Sequence, residues 1–96
     1  MCYTPAVEFE WDENKRSFNL LRHGIDFEDA ISVWDGPVLE IPSARQGEER
    51  LVGIGWFDGR MIAVVFTWRG KKRRIISARI ARKNEREDYN EAVGYP

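Results

Sequence analysis

The chain has 96 residues, with 15 Lys and Arg against 16 Asp and Glu for a net charge of −1. At 43% hydrophobic and 32% charged residues, this composition excludes a disordered chain and a globally basic protein that coats nucleic acid. The longest apolar run, residues 61–66, is too short for a membrane helix, and one Cys with one His permits neither an internal disulfide nor a Cys/His metal set, so no cofactor or metal is expected.

In chain order, the alternation of Phe9, Glu10 and Trp11 predicts a short first strand. Asp12 then caps a helix with Phe18, Leu21 and Ile25 on one apolar stripe. Arg22 and His23 in its last turn and Gly24 at the C′ position provide the stop. Asp26 caps a second, shorter helix carrying Phe27, Ala30, Ile31 and Trp34, which Asp35-Gly36-Pro37 ends. The period then becomes strand-like. Residues 38–41 read as a short strand, 42–47 as a polar loop, and 50–57 and 60–68 as strands joined by the type I′ hairpin signal Asp58-Gly59. A turn at 69–72, with Gly70, leads to a strand at 73–80 and a charged helix at 81–92, its apolar side chains chiefly Tyr89, Ala92 and Val93. No repeat or linker interrupts this order, so residues 1–96 are expected to form one α+β domain with helices covering one face of an antiparallel sheet. No basic region followed by an apolar stretch opens the chain, and a cytoplasmic location is expected.

The near-neutral total hides a strong asymmetry. Residues 1–68 carry a net −6, residues 69–86 a net +8, and residues 87–96 a net −3. A positive segment of this kind marks either an anion-binding face or a solvated charged surface. On simple alternation, Arg73, Ile75, Ser77 and Arg79 share one face of the strand, and Arg79 at its end can offer a planar fork of donors to a phosphate. Lys83 and Arg86, three apart on the next helix, share a face. His23 is the chain's single histidine, either a general acid–base group or a cation complementing the end of its helix. Glu48 or Glu49 can supply a base and Arg50 a phosphate contact, or together they are an edge-strand charge group. Trp56 and Trp68 can stack bases or fill the core, and Asp58 is explained by its turn.

The ordered set Phe9-Glu10-Trp11-Asp12-Glu13-Asn14-Lys15, Asn19-Leu20-Leu21-Arg22-His23-Gly24 and Asp26-Phe27-Glu28-Asp29-Ala30 continues through the chain. It runs on with Gly47-Glu48-Glu49-Arg50, Ile54-Gly55, Val64-Val65-Phe66-Thr67, Arg69-Gly70, Arg74-Ile75-Ile76-Ser77-Ala78-Arg79, Ala81 and Glu85-Arg86. Over residues 9–89 this set resembles the BrnT family of bacterial toxins, small ribonucleases with a RelE-like fold. The pattern of elements makes the sheet a meander of three to four strands, and the short apolar runs leave no membrane association expected. The resemblance implies a compact α+β fold with an antiparallel sheet and RNA cleavage that blocks translation. It also implies a BrnA-type antitoxin with a ribbon-helix-helix region, through which alone the complex would reach operator DNA. Arg79, Lys83, Arg50 and His23 are the catalytic candidates that it implies. Lys83 stands where the family usually has Arg, keeping charge without the bidentate fork. Arg82 stands where Ser or Thr commonly caps the helix, so a helix start one or two residues later is expected.

Two functions follow: a metal-independent endoribonuclease toxin, or a catalytically weak protein that acts as antitoxin partner and co-repressor. The first expects Arg79→Ala to abolish toxicity with the fold retained.

Overall fold

The computed structural model describes residues 7–43 and 49–94; Glu48, among the sequence candidates, lies outside them. The elements follow as β1 (Glu8–Trp11), α1 (Glu13–His23), α2 (Phe27–Ala30), a 3-10 helix (Ile31–Asp35), β2 (Leu39–Pro42), β3 (Leu51–Phe57), β4 (Arg60–Arg69), β5 (Lys72–Ile80) and α3 (Lys83–Val93). Local chemistry accounts for most boundaries. The Asp12 carboxylate accepts the N–H of Asn14 at 2.7 Å, and Gly24 ends α1 in the left-handed region at φ 73°. Asp26 caps α2, and its carboxylate also takes Arg16 Nε at 2.8 Å, which ties the start of α2 to α1. Asp58 and Gly59, at φ 51° and 75°, make the tight connection of β3 to β4.

The five strands form one sheet in the order β1-β5-β4-β3-β2. From β2 to β5 it is an antiparallel meander, while β1 adds to β5 in parallel, so the sheet is mixed at that edge. One apolar cluster, with Phe27, Val33, Val64, Phe66 and Ile75 fully buried, lies between the sheet and the α1–α2 segment. A second, including Ile54, Met61, Ala63 and Tyr89, lies on the opposite face beneath α3. Helices therefore cover both faces. Tyr89 and Ala81 bring α3 down over the β2–β3 side, which leaves the β5 side of that face open. Gly53 admits the Trp34 ring: a Cβ there would sit 2.8 Å from a ring carbon. No helix among the described residues is long and apolar enough to cross a membrane.

Two departures from simple periodicity shape the rest of the molecule. Val65 pairs with Ser77 but Phe66 pairs with Ile75, so Ile76 is one residue too many in β5. This bulge inverts the alternation. Ile75 and Ala78 face the same core, and Arg73 is separated from the face that carries Ser77 and Arg79. The second departure is in α1. Phe18 and Leu21, expected to face the core with Ile25, are 63% and 88% exposed, and the buried residue of the helix is Asn19.

Asn19 faces inward for a reason visible in the sheet. β1 pairs with β5 only as far as Ile75, so the outer edge of β5 beyond that point lacks a strand. The Asn19 side chain takes its place: Oδ1 accepts the N–H of Ala78 at 3.1 Å, and Nδ2 donates to the carbonyl of Ala78 at 2.9 Å. The same amide donates to the carbonyl of Ile25 at 3.0 Å. Because successive helical residues are rotated by about 100°, an inward Asn19 turns Phe18 and Leu21 away from the core.

Candidate active site

The positive segment divides in two once folded. The parallel register sets Glu8 opposite Lys72 and Glu10 opposite Arg74, and the pairs close at 3.5 Å and 2.6 Å. Arg73 pairs with Glu40 at 3.0 Å and stands 4.6 and 4.7 Å from the ring centres of Trp34 and Trp68. These cations belong to the scaffold. Trp68 is occupied by Arg73, and neither it nor Trp56 lines the site described next.

Beyond the bulge the surroundings change. An open groove of about 590 Å³ runs between α1 and β5, walled by Lys15, Phe18, Arg22 and His23 on one side and Arg79 and Arg82 on the other. A smaller hollow of about 300 Å³ adjoins it on the open face of the sheet, where Arg50 and Ser43 join Arg79 and Arg82. Ile76 and Ser77, at the bulge, line both. No Asp or Glu among the described residues lines either space. Lys15, Arg22 and Arg82 form no ion pair with any described residue, so their charge is available to a ligand. No group of three or more His, Cys, Asp or Glu suited to holding a metal ion occurs among the described residues.

Arg79 is held differently. Its Nη1 and Nη2 donate to the two carboxylate oxygens of Glu85 at 2.7 and 2.9 Å, and this pair is largely buried. Glu85 also accepts the N–H of Arg82 at 2.8 Å, which satisfies the start of α3 in the absence of a capping side chain. The helix accordingly begins at Lys83, two residues after the sequence pattern would start it. Arg86 reinforces this corner by donating to the carbonyl of Ala81 at 2.7 Å. The Arg79 guanidinium, with burial opposing it, holds the Glu85 carboxyl below the usual carboxylate range. That pairing contributes stability above the carboxylate range of the unfolded chain, and the contribution is lost as pH falls through the lowered value. Asp26, held low by Arg16, acts in the same direction. An acid titration followed by circular dichroism is expected to show this loss. Glu85→Gln should be less stable at neutral pH but flatter across the acid range; an unchanged acid limb would contradict this role.

Of the sequence candidates, the structure brings His23 and Arg79 to one groove and Arg50 to the adjoining hollow. Lys83 lines neither; its side chain is 86% exposed and lies 4.0 Å from Glu87. Arg82, one residue earlier, takes the place expected of it. Sequence reasoning missed Lys15, Phe18 and Arg22 as a group, although their spacing of three and four residues puts them on one helical stripe. It missed Glu85 because nothing in the local pattern shows that this glutamate is buried.

A family model described as the ribonuclease toxin BrnT of type II toxin–antitoxin systems matches residues 11–85. Among solved structures, the chain is similar to the Brucella abortus ribonuclease toxin BrnT, at 33% identity and a TM-score of 0.65, covering 81% of this chain and 100% of that one. The comparison with curated proteins gives no match.

Proposed function

The chain belongs to the BrnT family of ribonuclease toxins of type II toxin–antitoxin systems, and from that premise we propose that it is a cytoplasmic, metal-independent endoribonuclease that cuts RNA in the groove between α1 and β5 and so inhibits translation. The observation that carries this reading is the gathering of Lys15, Arg22, Arg79, Arg82 and the single histidine around one groove with no carboxylate among its described lining residues. Carboxylate oxygens are the usual donors to a divalent cation, whereas a cluster of fixed cations suits a phosphodiester.

In such a cleavage a base removes the proton of the 2′-hydroxyl, and its oxygen attacks the adjacent phosphorus. The bond to the 5′-oxygen breaks, that oxygen gains a proton, and a cyclic phosphate and a 5′-hydroxyl remain. In this reading His23, which lines the groove, moves the proton, contributing roughly 10²–10⁴-fold. Arg79, immobilised by Glu85, and Arg82 supply positive charge where the phosphate gains negative charge. Arg50 contacts the continuing strand from the adjoining hollow.

The partner of this reading is a BrnA-type antitoxin with a ribbon-helix-helix region that carries the complex to operator DNA. Induced expression alone is expected to arrest growth, and co-expression of the antitoxin to relieve it. Purified protein should cut RNA in the presence of EDTA; RNA left intact and growth unaffected would end the enzyme reading. The binding-protein alternative is favoured by one observation, the commitment of both terminal nitrogens of Arg79 to Glu85. It predicts intact RNA together with an altered affinity of the antitoxin for its operator.

A further inference from the structure

Phe18 has no place in the core. It is 63% exposed, although as the first residue of an apolar stripe it would ordinarily be buried. No described ring stacks on it: the aromatic contacts join Phe9, Trp11, Phe27, Trp34, Phe66 and Trp68. Its ring lines the larger groove, and on α1 it lies between Lys15, three residues before, and Arg22, four residues after, both on the same wall. An aromatic face flanked by unpaired cations is the arrangement that meets a nucleic-acid strand, the ring taking a base and the cations its phosphates. In a duplex both faces of a base are already stacked, so only an unpaired base can lie on the ring.

The geometry points to Phe18 as the stacking platform for one unpaired base, with the neighbouring phosphates on Lys15, Arg22 and Arg82, so that the groove takes single-stranded RNA. This rests on the ribonuclease reading above and adds to it the residue that selects the strand form. The charge of the wall favours a polyanion over an apolar protein segment. Leu21 supplies a control, since it is more exposed than Phe18, at 88%, but lines neither space.

The test titrates the full chain with a short single-stranded RNA that carries 2-aminopurine and 2′-O-methyl riboses, which bind without being cut. Phe18→Ala is expected to weaken binding roughly 10- to 100-fold and to remove the 2-aminopurine fluorescence change. Phe18→Trp should restore both, and Leu21→Ala should alter neither. The same RNA as a duplex should not distinguish Phe18→Ala from the parent. A fluorescence change that survives in Phe18→Ala, or Phe18→Leu binding like the parent, overturns the stacking role. Lost antitoxin binding with unchanged RNA binding also overturns it, and makes this wall a protein contact. Arg22→Ala and Arg82→Ala separate the two levels. If they leave RNA binding intact, the groove reading falls with the inference; if they weaken it while Phe18→Ala does not, only the stacking role falls.

Discussion

Replacing Arg79 by alanine is expected to lower the stability of the fold by about 3–5 kcal/mol as well as to remove RNA cleavage. The side chains of Arg79 and Glu85 are only 18% and 6% exposed, so the variant would leave a buried carboxylate without its partner. Against a total stability of about 5–15 kcal/mol for a typical domain, such a loss is large. The sequence alone suggests that Arg79→Ala loses toxicity with its fold intact; the bidentate pair shows why that substitution cannot separate folding from chemistry. A double replacement can. Arg79→Met with Glu85→Gln removes both charges together, so no buried charge is left unpaired, and the Gln oxygen still accepts the N–H of Arg82 at the start of α3. The double variant should regain most of the parent's urea midpoint while cutting RNA about 10²–10³-fold more slowly. Parental cleavage by that variant would take Arg79 out of the chemistry. A parental midpoint for Arg79→Ala would show that the pair does not hold the corner.

Asn19→Ala is expected to cost at least about 3 kcal/mol, since it strands three buried backbone groups and each one left unpaired costs about 1–3 kcal/mol. Its amide serves both backbone groups of Ala78 at the point where β1 stops, and it also holds the carbonyl of Ile25. Water would have to enter a site where Asn19 is 4% exposed. Because the same contact sets the distance between α1 and β5, the groove should widen and RNA cleavage should fall with stability. Hydrogen exchange offers a local check, as the Ala78 amide should lose protection before those of β3 and β4. If Ala78 exchanged no faster in the variant, the amide would not be acting as the missing strand.

Most of the elements were legible because their signals are local. Asp12, Gly24, Asp26 and Asp58-Gly59 act on backbone groups within a few residues, and each lies in the structure where its chemistry puts it. The helix read as one unit after Asp26 is a short α-helix followed by a 3-10 turn, a change of hydrogen bonding that apolar spacing does not report. The site was legible only in part. His23, Arg50 and Arg79 reach the grooves, but Lys83 does not, because the corner set by Glu85 turns Arg82 inward to the groove and leaves Lys83 in solvent.

Taken by itself, the sequence determined the order of strands and helices, their caps and turns, and the resemblance to a toxin family. It also located a net +8 over residues 69–86, but could not say which of those charges are free. Only the tertiary structure decided that. Arg74 meets Glu10 across 64 residues and Arg73 meets Glu40 across 33, pairings set by sheet register rather than by neighbours in the chain. The single extra residue at Ile76 then places Arg79 on the face opposite Arg73. Local interactions choose an element's type; which of its faces meets a ligand depends on partners that the chain brings together only on folding.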